Sequence, residues 1–236
     1  MRPRLALFAL VVMAVAMPAA AQERRGIDRW FEAADRFEAL AVSASARNRV
    51  PRLNERAARS VLRRLTDARA TFGDELYVVA DAERLGRMLE RTMVIAQLYL
   101  QHGIDPGSAS PETQSEQTEN IVTYQSELLP LLAFTVDTGA RIAASHAPLF
   151  ASGAPIAEPT RLNLIQTRGG IAQIVRGLLF MGGEPALAAE SRLLALQALA
   201  RNAARLAATF TIAERGTILA AAREIRSGAQ GDEAAA

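Results

Sequence analysis

The chain has no cysteine and no lysine, and only two histidines and one tryptophan among its 236 residues. Each shortage closes off chemistry. Without cysteine there is no disulfide, no C-x-x-C-H haem attachment and no lipidated N-terminus. Stability has to come from the apolar core that this length permits. His102 and His146 are the only imidazoles, so the H-E-x-x-H zinc pattern cannot be written. Tyr99 and Ala143 stand where a di-iron bundle would place glutamates. G-x-S-x-G and G-x-x-x-x-G-K-[ST] are both missing, which removes the serine-hydrolase elbow and the nucleotide loop. No catalytic residue, metal ligand or cofactor is expected. Because lysine is absent, all 27 basic residues are arginine, a bias read as base composition of the gene rather than as chemistry.

The first 21 residues read as a targeting segment. Arg2 and Arg4 precede an apolar stretch from Leu5 to Met17, and Ala19-Ala20-Ala21 supplies a small-residue cleavage site. A cleaved secretory signal peptide over 1–21 is expected, with Gln22 first in the mature chain and the periplasm as its destination. No later charge-free apolar run reaches the length of a membrane span, so no stable insertion of the mature chain is expected. Removing Arg2 and Arg4 leaves 25 arginines against 25 acids, which with the compartment argues against nucleic acid as a partner.

Alanine, leucine, arginine and glutamate dominate what remains, and alternating β-branched runs are missing. The expected fold is all-α: one domain over 22–227 holding an antiparallel, up-and-down bundle of six to eight helices, with an orthogonal array as second choice. A disordered tail is expected over 228–236. Asp28 reads as the cap of a first helix, and Pro51 and Gly73 as the bounds of a second. A third ends before His102-Gly103, and Ser110-Pro111 opens a long one that Pro130 should kink or divide. Another runs from Thr160 to Met181, and Glu184-Pro185 starts the next at once. Thr211 and Glu214 fit a capping box that opens the last.

Three stretches stand out. Residues 47–69 carry eight arginines against Glu55 and Asp67. At 100° per residue Arg52, Arg56, Arg59 and Arg63 fall on one side of a helix, opposite Val61, Leu65 and Phe72. A solvated face, pairing with the similarly spaced Glu112, Glu116 and Glu119, and docking to an anionic partner are the competing readings. Residues 166–183 place Gly170 and Gly177 beside a heptad seam. Glycine inside a helix costs about 0.5–1 kcal/mol, to be offset by close helix approach or by room for a ligand. Gln97, Tyr99 and His102 could line a polar pocket at the end of the third helix. Asp137, in an apolar run, is expected to pair with Arg141, and Trp30 and Phe37 to pack in the core.

The functional expectation is an exported accessory or scaffold-like module, not an enzyme, that meets an envelope protein or its own copy through helix faces. The alternative is a small-molecule-binding or sensing bundle with an internal pocket.

Overall fold

The computed structural model describes residues 26–73, 77–104, 111–151 and 157–228. The expected signal peptide over 1–21 lies outside them, as do Ser110 and the tail beyond Gly228. The described residues form an all-helical bundle of nine α-helices with extensive contacts between them. They are α1 (26–45), α2 (Arg56–Thr66), α3 (Ala68–Phe72), α4 (Ala82–Leu100), α5 (Pro111–Thr123), α6 (Gln125–Ala151), α7 (Glu158–Gly183), α8 (Ala189–Thr209) and α9 (Ile212–Gly228).

Helix α6 is the axis of the molecule. Every residue from 131 to 140 is buried, and α2, α4, α7 and α8 all pack on it. A helix apolar all round can be stable in water only when neighbours cover each side. Leu128, Leu129, Leu131 and Phe134 lie at 0–1% exposure, and each such burial contributes about 1.5–3 kcal/mol.

Helix α1 presents Ile27, Trp30, Ala34, Phe37 and Ala41, spaced three and four apart, to this core. Trp30 stacks on Phe134 at 5.8 Å and Phe134 on Phe72 at 5.3 Å. The Trp30 indole N–H donates to the Leu65 carbonyl at 2.9 Å, so the buried ring has no orphan donor. Ion pairs align α1 with α4: Arg84 with Asp28, and Arg91 with Asp35 at 2.8 Å and Glu38 at 2.7 Å. The equal spacing of Asp28–Arg84 and Asp35–Arg91 makes these two helices parallel. Helices α6 and α8 are parallel for the same reason. Gln125 accepts from the Ala188 N–H at 2.9 Å near one end, and Asp137 meets Arg201 further along.

Several boundaries differ from the sequence reading. Asp28 lies inside α1, not at its cap. Pro51 opens no helix: the Pro51 carbonyl accepts from the Tyr99 hydroxyl at 2.7 Å, and the Leu53 N–H donates to Glu127 at 2.9 Å. These tertiary bonds hold 51–55 out of helix until Arg56. Asp67 then interrupts the expected second helix by capping the Ala70 N–H at 2.8 Å, and Gly73 ends it with φ +59°. The break in the long helix falls at Tyr124, not Pro130, because the Tyr124 ring turns into the core against Tyr99 and His102. Helix α8 starts at Ala189 after a turn, rather than at Glu184. The Thr211–Glu214 box is present in reciprocal form: the Thr211 N–H donates to Glu214 at 2.7 Å and the Glu214 N–H to Thr211 Oγ1 at 3.2 Å.

Asp137 is corrected too. Its carboxylate takes two bonds from Arg201, at 3.0 and 2.7 Å, and one from Asn202 Nδ2 at 2.7 Å. The bond to Asp137 holds the Arg201 guanidinium above its ordinary range. Arg141 instead donates to the Asp137 backbone carbonyl at 2.9 Å and lies 4.3 Å above the Phe72 ring. Burial pushes its guanidinium below the usual range.

Candidate functional site

Helices α4 and α7 do not close on each other over α6. Between them runs a cleft of about 750 Å³, within the range that holds small organic ligands. The opening follows from residue size. Helix α4 faces it with Gly86, Glu90 and Met93, and α7 with Gly170, Ile174 and Gly177, spaced three, four and seven apart as one helix face requires. A Cβ built at Gly86, Gly170 or Gly177 would meet nothing within 4 Å. These glycines are therefore not paid for by close helix contact, which was one of the two readings of the glycine-bearing helix. They border empty space.

Leu132, Ile142 and His146 of α6 line the same cleft. His146 is 9% exposed. Its Nδ1 lies 2.8 Å from the Ile142 carbonyl oxygen, and the Ser145 hydroxyl donates to that same oxygen at 2.8 Å. A carbonyl only accepts, so Nδ1 carries the hydrogen and donates. No hydrogen bond from a described residue reaches Nε2, which accepts whenever the ring carries its one hydrogen on Nδ1. His146, Ile142 and Thr167 also border a smaller chamber of about 200 Å³ toward Arg161 and Arg168.

The charges around both chambers are unequally matched. Arg87 pairs with Glu83 at 3.8 Å, Arg161 with Glu158 at 2.6 Å, and Arg168 with Glu214 at 3.3 Å. Glu90 lines the larger cleft with no cation of the described residues paired to it. Met93 and Met181, unbranched and adaptable, form part of the apolar wall.

Of the residues singled out in the sequence, Gly170 and Gly177 line this cleft, whereas Gln97, Tyr99 and His102 do not. Gln97 is exposed on α4. Tyr99 is buried at 0% against Phe37 and Tyr124 with its hydroxyl spent on Pro51, and burial followed by the nearby Glu127 charge pushes its phenol above the usual range. His102 is half-buried beside the Tyr124 ring at 5.7 Å. His146, Gly86 and Glu90 were not singled out as site residues. For Gly86 and Glu90 the signal that could have found them is the Gly86–Met93 spacing of seven, which repeats the spacing of Gly170 and Gly177.

The arginine stripe is not a uniform face. Arg52 precedes α2, pairs with buried Glu127 at 3.0 Å and lies 4.7 Å above the Tyr124 ring. Arg59 folds back to donate to the Leu53 carbonyl at 2.7 Å and the Asn54 carbonyl at 3.3 Å. Arg56 and Arg63 are exposed. Among the described residues the acid that Arg52 meets is Glu127, not Glu116 or Glu119, and the Glu112 side chain lies outside them.

Among the described residues no three His, Asp or Glu side chains converge as a metal site would require. Comparison with known proteins finds no matching family model, no matching curated protein and no matching solved structure.

Proposed function

We propose that the protein is an exported helical module that binds a small organic molecule in the α4–α7 cleft, without turning it over. One observation carries this reading: Gly86, Gly170 and Gly177 give up helix stability on facing positions and nothing fills the space they leave. A bundle selected for packing alone would carry alanine there. His146 adds a ring nitrogen to a wall that mixes apolar side chains with a few polar ones, the composition expected of a ligand site. Its Nδ1 is held by a backbone carbonyl rather than a carboxylate, which suits recognition better than general-base work.

Amide chemical shifts of the purified protein, followed while small-fragment mixtures are added, test the proposal. Shifts clustering at Gly86, Gly170, Gly177 and His146, and abolished in Gly170→Leu, are the expected result. Shifts scattered over other faces would remove the reading.

A second reading, an accessory module docking on an envelope protein or on its own copy, is favoured by an apolar groove of about 440 Å³ between α8 and α9. Leu219, which lines it, is 53% exposed. Concentration-dependent sedimentation that Leu219→Glu abolishes would support it, and a monomer at all concentrations would argue against self-association.

A further inference from the structure

We propose that the occupant of the α4–α7 cleft is an organic ammonium: an apolar body with a cationic, hydrogen-bond-donating head. The inference rests on the reading of the cleft as a ligand site and adds the chemistry of the ligand.

Four titratable groups line the cleft: Glu83, Arg87, Glu90 and His146. Two are carboxylates, one is a guanidinium and one is an imidazole whose Nδ1 hydrogen is already committed to Ile142. With its single hydrogen on Nδ1, His146 offers a ligand an acceptor at Nε2, which asks for a donor. Arg87 lies 3.8 Å from Glu83, and the two formal charges offset each other on the lining. The remaining formal charge on the lining is that of Glu90. The adjoining chamber does not reverse this balance, because Arg161 and Arg168 each meet an acid. An anionic head would face Glu90, and each nearby guanidinium already has an acid within 4 Å. An ammonium would find a carboxylate and an imidazole nitrogen, and charge-assisted bonds of that kind are the stronger ones.

The apolar body follows from the other end of the cleft. Leu100 of α4, Leu132 of α6 and Met181 of α7 line it, and none offers a polar side-chain atom beyond a thioether. A bare inorganic cation would gain nothing from these walls, whereas an alkyl or aryl chain would.

Three probes of one chain length separate the possibilities: hexylammonium, hexanoate and hexanol, titrated into the purified protein at fixed ionic strength with amide shifts as readout. Hexylammonium should bind about tenfold more tightly than hexanoate. Glu90→Gln should erase most of that preference while leaving hexanol affinity unchanged. Glu90 is exposed, so the variant keeps the fold, and an unchanged melting temperature verifies this. Equal or tighter binding of hexanoate at the same cleft amides overturns the ammonium assignment and leaves the cleft as a ligand site. Equal binding of hexanol and hexylammonium does the same. Failure of all three probes to move the cleft amides overturns both readings.

Discussion

Two ends of one helix differ. At the C-terminal end of α7 a Cβ on Gly182 would lie 2.6 Å from Leu196, and one on Gly183 would lie 3.0 Å from Ile225. About one and a half to three and a half turns earlier, a Cβ on Gly177 or Gly170 would touch nothing within 4 Å. The residue type is the same and its use is opposite. At one end glycine lets helices approach, as Gly139 does against Ile171 at 3.0 Å. At the other it keeps a cleft open. Glycine content alone therefore does not report packing; what stands opposite decides.

The largest effect expected lies on the tightly packed side. Asp137→Ala deletes a buried carboxylate that satisfies Arg201 and Asn202, and should cost about 3 kcal/mol in chemical denaturation. Glu90→Ala, across the molecule on the cleft, should change stability by less than about 0.5 kcal/mol. Similar costs for the two would break the contrast. Next comes Gly26→Ala, whose Cβ would sit 2.5 Å from the Thr71 carbonyl oxygen. Backbone cannot swing aside as a leucine tip can, so a loss of about 2 kcal/mol is expected. Within α7 the signs should reverse: Gly170→Ala and Gly177→Ala each raise stability by about 0.5–1 kcal/mol, while Gly182→Ala lowers it by about 1 kcal/mol. Destabilisation by all three would mean that the cleft is closed in solution.

The smallest effect concerns pH. Burial pushes the Glu214 carboxyl upward, but the bonds from the Thr211 N–H and hydroxyl, with Arg168, outweigh it and leave the group below its ordinary range. A folded-state value below the unfolded one contributes stability above the unfolded pKa, near 4.3, and loses it as pH falls through the folded value. Hydrogen-exchange protection, taken relative to the intrinsic rate at each pH, should therefore fall in the first turn of α9 below about pH 4.3, and Glu214→Gln should remove the dependence. A flat profile in the parent protein would show that the box contributes nothing through charge.

Most of the architecture was legible in the sequence because it depends on local pattern. The 3.6-residue periodicity, the Thr211 box and the Gly73 stop are carried by residues close together in the chain. The misplacements share a cause. Pro51 should open a helix by local preference, yet Tyr99 and Glu127, dozens of residues away, claim its neighbourhood. Asp137 should pair four residues on, yet Arg201 reaches it across the core. The cleft was half legible. Gly170 and Gly177 announce a choice between contact and space, but only the position of α4 settles which. His146 gives no signal of its own, because its role depends on which carbonyl takes its hydrogen.

The burial of α6 on all sides has a consequence before folding is complete. Its stretch Gln125–Ala147 is, by length and composition, apolar enough to cross a membrane. An unfolded chain thus carries a segment that lipid would accept, and bundle and bilayer compete for it. Asp137 and Arg141 tilt that competition, since each charge near the middle of such a span costs about 2.5–3.5 kcal/mol to insert. In the bundle the Asp137 carboxylate finds a guanidinium instead. The acid in the centre of this helix thus weights the competition toward the bundle by the cost of carrying it into lipid.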